Sequence, residues 1–203
     1  MTTTALLEDI VSSLLPLGQD NTHVLQQRGI VIWMTGLSGS GKSTIAKLLE
    51  KRLLENNFLS VVLDGDELRK TLNKDLGFSE ADRSENIRRA AELAKLLVQK
   101  NIIVICSFIT PLQKHRRLAA SITGDAYYEV FTDCPLQTCE QRDVKGLYKK
   151  ARNNEIPDFT GIGSGFEPGI DASLVLHTNT ESAVQSMEKL FAAILPLVEI
   201  QGV

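Results

Sequence analysis

The stretch "IVIWMTGLSGSGKSTIAKLL", residues 30–49, decides the fold. "IVIWMT" reads as a buried strand, and Ile45, Leu48, Leu49 and Leu53 recur along one face of a helix. Between them, Gly36 to Ser43 fits G-x-x-x-x-G-K-[ST] in the strand-to-helix setting that this motif requires. Glycines let the backbone curl so that successive N–H groups aim at phosphate oxygens, and the helix N-terminus adds partial positive charge. The spacing assigns Gly36, Leu37, Ser38, Gly39, Ser40, Gly41, Lys42, Ser43 and Thr44 to nucleotide phosphates. Lys42 is expected to reach the outer phosphates, and the Ser43 hydroxyl to hold Mg²⁺. A dinucleotide fingerprint is excluded, because Thr44 stands where G-x-G-x-x-G needs its last glycine.

Working outward, "SVVLD" reads as a second strand, followed by a short helix from Glu67. Ser79 can cap the next helix with Asp82 three residues on, and Ile87, Ala90, Ala91, Ala94, Leu97 and Val98 line one face of it. "IIVICSFI", "YYEVFT" and "LVLHT" supply the remaining strands, and Val184, Met187, Phe191, Ile194 and Val198 mark a closing helix. Alternating strands and helices predict an α/β fold, a doubly wound, mainly parallel five-stranded sheet with helices on both faces and a mobile lid at about 142–170. We assign 28–203 to this domain and 1–27 to an N-terminal extension, helical where Leu7, Ile10, Val11 and Leu14 recur.

Composition narrows the partners. With 22 Lys+Arg against 25 Asp+Glu, the net charge is -3, too acidic for a protein whose main partner is nucleic acid. Cys106, Cys134 and Cys139 form no C-x-x-C pair, so neither a zinc site nor a disulfide framework is expected. No apolar run approaches the roughly 20 residues that span a bilayer, and the leading segment has no basic residue before Arg28, so a cytoplasmic location without membrane contact is expected. His23, His115 and His177 show no ligand spacing, and surface or satisfied partial burial is expected for each.

Asp64 and Asp66 crowd the end of the second strand, where in doubly wound sheets the ligand crevice opens. Carboxylates packed so closely call for a cation. One suits metal-bound water and the other an acceptor hydroxyl, with a helix cap as the alternative role for one of the two. The third strand ends in Ser107 rather than the acid of motor and switch NTPases. Beyond it in the reading lies an oxyanion clamp: Arg83 and Asn86 share a helix face, Arg69 can converge with them, and Phe78 offers either a core plug or a stacking platform. "CEQRDVKGLYKKARNNEIPDFTGIGSGFEPG", residues 139–169, reads as a basic lid that excludes water.

Taken together, "GLSGSGKST", "LDGDELRKTLNKDLGFSEADRSENIRR", "FITP", "CEQRDVKGLYKKAR" and "EIPDFTGI" resemble the adenylylsulfate kinase family of P-loop kinases. The resemblance implies transfer of the γ-phosphate of ATP, with Mg²⁺, to the 3′-hydroxyl of adenosine 5′-phosphosulfate in sulfate assimilation, by a homodimer. It also implies that Arg69, Arg83 and Asn86 hold the phosphosulfate end, that Phe78 and Phe159 sandwich the adenine, and that Lys145 and Ile109 contact the same substrate. Asp66 would lie nearest the 3′-hydroxyl, Asp64 nearer the magnesium through water, and Arg142 would serve ATP. Thr110 stands where relatives carry a serine that in some becomes phosphorylated, and Gln113 and His177 replace a common Arg and Asp. The same fold also accommodates a kinase for another small metabolite or nucleotide, or a nucleotide-binding subunit without turnover.

Overall fold

The computed structural model describes residues 25–200. The helix expected over Leu7 to Leu14 lies outside them. The opening strand is β1 (Val31–Thr35), and all five of its residues are buried. Then follow α1 (Lys42–Glu55), β2 (Ser60–Asp64), α2 (Gly65–Lys70), α3 (Glu80–Val98), β3 (Ile103–Ser107) and α4 (Gln113–Thr123). The second half holds β4 (Tyr127–Asp133), α5 (Leu136–Arg142), α6 (Leu147–Arg152), β5 (Leu174–His177) and α7 (Ala183–Val198).

The five strands of the sheet pair in parallel, in the order β2-β3-β1-β4-β5, so the expected five-stranded doubly wound sheet is what forms. Alternation along each strand divides the core. Ile32, Met34, Ile103, Ile105, Val130 and Leu176 face α1 and α7, whose Leu49, Leu53, Leu190 and Ile194 are fully buried. Val31, Trp33, Val104 and Cys106 face α3 and α4 through Ile87, Ala90, Ala91, Ala94 and Ala119. Alanines along α3 bring that helix close to the sheet, and each buried leucine or isoleucine opposite contributes about 1.5–3 kcal/mol.

Local signals act where the sequence placed them. Ser79 Oγ accepts from the Asp82 amide at 3.1 Å and starts α3. Register sets Asp64 beside Ser107, so the carboxyl ends of β2 and β3 open next to the phosphate loop that follows β1. His115 departs from the expectation: it is almost wholly buried, with Nε2 3.1 Å from Ser84 Oγ and Nδ1 without a partner. Burial holds its imidazole below the usual pKa.

Candidate active site

The phosphate loop is held from all sides. A Cβ on Gly36 would lie 2.3 Å from Thr132 Oγ1, and its φ of 141° lies where side chains are disfavoured, so only glycine fits. Ser40 Oγ lies 2.8 Å from Thr132 Oγ1, Thr178 donates to the Ser40 carbonyl at 2.7 Å, and Ile109 O accepts from the Gly36 amide at 3.2 Å. Gly41, at φ 101°, supplies no side-chain cap to α1. The first amides of that helix therefore face the crevice as anion donors. Lys42 differs from the outward reach expected of it: its ammonium donates to the Gly36 and Leu37 carbonyls at 2.8 Å each. Burial, only partly offset by Cys139 and Asp64, pushes its pKa down to about 8.

Asp64 takes the helix-cap role weighed for one of the pair and also meets the phosphate-loop serine. Its Oδ1 accepts from the Asp66 amide at 2.9 Å and caps α2, while its Oδ2 accepts from Ser43 Oγ at 2.6 Å. Ser107 Oγ stands 3.2 Å from the same serine. Burial would raise the Asp64 carboxyl, but the Ser43 and Asp66 hydrogen bonds and nearby Lys145 hold it below the usual carboxylate range. A serine hydroxyl beside an ionised carboxylate is a hard oxygen donor set that fits Mg²⁺. Asp66, one helical position inside α2, is exposed and ion-paired with Lys145 from the α5–α6 loop. The Asp66 hydrogen bond holds the Lys145 ammonium above its ordinary pKa.

The clamp residues converge. Arg69 donates to the Gly77 carbonyl at 2.8 Å, and its guanidinium lies 4.5 Å from the ring centre of Phe78. Arg83 lies 5.9 Å from the same ring and donates to Phe78 O, Asp158 O and Thr160 Oγ1 at 2.9, 2.9 and 3.2 Å. One guanidinium thus links the Phe78 loop to the lid segment that carries Phe159. Burial, then Arg83, lowers the Arg69 pKa, with Asp82 and Asp66 opposing. Two half-buried cations this close favour an anion between them. Asn86 is buried, and its oxygen accepts from Asn73 Nδ2 at 2.9 Å. Phe78 is 64% exposed, so it is not a core plug.

The segment expected to form a lid is more firmly seated than a basic loop suggests. Tyr148 is buried with Leu37, Cys134 and Cys139, Phe159 meets its ring edge-on at 5.0 Å, and its hydroxyl donates to the Ser38 carbonyl at 2.9 Å. Arg142 donates to Gly39 O at 3.3 Å and Thr178 O at 2.5 Å, bracing the phosphate loop from the donor side. The aromatic inside "KGLYKKAR" was the available signal for Tyr148. Thr110 requires a correction. It is 2% exposed, and its hydroxyl accepts from Trp33 Nε1 at 3.0 Å, so it is turned into the core and not presented on the surface.

A phosphate loop joined to Asp64, and an arginine–aromatic cluster beyond Asp66, at the carboxyl ends of parallel strands define the P-loop kinase class. Comparison with known proteins narrows the class. The family model described as adenylylsulphate kinase matches residues 28–177. An adenylyl-sulfate kinase of Bacteroides fragilis is 50% identical over 89% of this chain and 90% of its own length. That of Paraburkholderia xenovorans is 48% identical over 86% of this chain and 98% of its own. Among solved structures, the Mycobacterium tuberculosis APS kinase in complex with AMPPNP and APS superposes with a TM-score of 0.80 at 47% identity, covering 83% of this chain and 98% of that one. The chain belongs to the adenylylsulfate kinase family.

Proposed function

We propose that this chain transfers the γ-phosphoryl group of ATP to the 3′-hydroxyl of adenosine 5′-phosphosulfate. The observation that supports the reading is that Asp66, paired with Lys145, donates its amide to the Asp64 that holds Ser43, while Arg69 and Arg83 both stand beside Phe78. Phosphoryl transfer asks mainly for alignment and charge stabilisation, and each part supplies one of these. Amides of the phosphate loop and Lys42 bind the triphosphate. Ser43, with Asp64 through water, would hold Mg²⁺, which neutralises charge on the phosphoryl oxygens when bound. The Asp66 carboxylate accepts the proton of the 3′-hydroxyl as the oxygen attacks. Arg69, Arg83 and Asn86 hold the phosphosulfate, Phe78 and Phe159 flank its adenine, and Ile109 and Lys145 close the pocket. Arg142 orders the ATP side.

Coupled ADP release with adenosine 5′-phosphosulfate, gluconate, shikimate and nucleoside monophosphates tests this. The first should be turned over fastest; a higher kcat/KM with any of the others overturns the assignment. We place the enzyme in the cytoplasm, on its unpaired cysteine spacing and leading segment, and as a homodimer, on family resemblance. Among the described residues no helix is long and apolar enough to cross a membrane. Light scattering checks the dimer.

A further inference from the structure

Arg116 is an arginine that the phosphate-transfer reading does not use. It sits on α4 and is 5% exposed. A buried guanidinium is costly unless its donors are satisfied, so its partners reveal what holds it there. Nε lies 3.2 Å from the half-buried Glu129 on β4. Its terminal nitrogens donate to the Glu167 carbonyl at 2.9 Å, and to the Thr110 and Pro168 carbonyls at 3.4 Å each. Those carbonyls belong to two segments that form the site. Thr110 holds the left-handed φ of 42° immediately after Ile109, whose own carbonyl accepts the Gly36 amide. Glu167 and Pro168 end the lid segment that carries Phe159 and Thr160, both close to Arg83 or its bonding partners.

The two segments are sewn together at the same point. The Glu167 amide donates to Pro111 O at 2.8 Å, and a Glu167 carboxylate oxygen accepts from the Gln113 amide at 2.5 Å. Phe166 stacks on Phe131 at 6.1 Å. Arg116 lies beneath this seam, and its planar fork is what reaches both sides of it. A lysine at this position could pair with Glu129 but could not span the carbonyls.

We propose that Arg116 is a positioning residue for the acceptor pocket, fixing the exit of the lid against the Ile109–Thr110 wall. The inference rests on the acceptor reading above. The phosphate loop keeps Thr132, Thr178, Tyr148 and Lys42 as independent holds, so ATP should scarcely register the change.

The test compares Arg116→Lys and the charge-neutral pair Arg116→Met/Glu129→Gln with wild type. Melting temperature, KM for each substrate and amide hydrogen exchange are measured on the full chain. Arg116→Lys should melt close to wild type, raise the KM for adenosine 5′-phosphosulfate about tenfold and leave the KM for ATP within about twofold. Exchange over residues 158–168 should quicken in both variants while residues 39–43 stay unchanged. This readout needs no substrate, so it separates failure of the inference from failure of the acceptor assignment. Unchanged exchange and acceptor KM in folded variants, both KM values moving together, or loss of folding in both variants would each overturn the proposal.

Discussion

The Ser43 hydroxyl donates to Asp64 Oδ2 across 2.6 Å, so the first turn of α1 and the carboxyl end of β2 meet at one short hydrogen bond. The same carboxylate caps α2 through the Asp66 amide. Removing it therefore does two separable things. Asp64→Ala should cost about 0.5–2 kcal/mol of stability from the lost cap. Asp64→Asn keeps an acceptor for the Asp66 amide but not the charge, so its melting temperature should stay near wild type while the Mg²⁺ concentration for half-maximal rate rises severalfold. A magnesium titration of both variants beside thermal melts checks this.

Asp66 and Lys145 form an ion pair while each is also assigned to the acceptor. On the role proposed for Asp66, its loss leaves the 3′-hydroxyl proton without an acceptor, and general-base loss typically lowers turnover by about 10²–10⁴. Asp66→Asn should bind ATP within about twofold of wild type with kcat reduced by about 10² or more. Lys145→Ala should instead act chiefly on the acceptor KM. Isothermal titration with AMPPNP and single-turnover kinetics distinguish these outcomes; near-normal turnover of Asp66→Asn removes that residue from the chemistry.

Lys42 supplies a pH dependence with a definite sign. Burial leaves its pKa at about 8 in the free protein, and triphosphate oxygens beside the ammonium must raise it in the complex. A group whose pKa rises on binding favours binding fully below its free pKa, and the gain is lost as pH climbs through the higher value of the complex. ATP binding near pH 8.5 should therefore take up a proton, and affinity should fall above that pH. Calorimetry in two buffers of different ionisation enthalpy measures the uptake. Lys42→Arg, charged throughout, should abolish it.

Thr110 shows where a local reading of sequence ends. A hydroxyl in "FITP" is visible in the chain, but which way it points depends on Trp33, 77 residues away, whose indole N–H needs an acceptor in the core. Thr110→Ala should strand that donor at a cost of about 1–3 kcal/mol, whereas Thr110→Ser should not. Mass spectrometry of the protein after incubation with ATP should find no phosphate on residue 110. The phosphate loop, by contrast, was legible because its chemistry lies in eight consecutive residues between two periodic segments. The strands and the Ser79 cap were legible for the same reason of locality. Arg116 meeting Glu129 and two remote carbonyls, or Lys42 folding back onto the loop, follow from tertiary packing and left no pattern in the sequence.

The role proposed for Phe78 can be tested apart from the stability of the fold. Its ring is 64% exposed, and the guanidinium of Arg69 lies 4.5 Å from its centre. An exposed loop residue contributes little to folding, so Phe78→Ala should shift stability by less than about 0.5 kcal/mol. Stacking of a base on an aromatic ring is worth about 1–3 kcal/mol, which converts to a rise of roughly 5- to 150-fold in the KM for adenosine 5′-phosphosulfate. Phe78→Trp keeps a platform and should restore much of that loss. An ATP KM unchanged in both variants would tie the ring to the acceptor; a rise in the ATP KM equal to that for the acceptor would place Phe78 outside the pocket assigned to it.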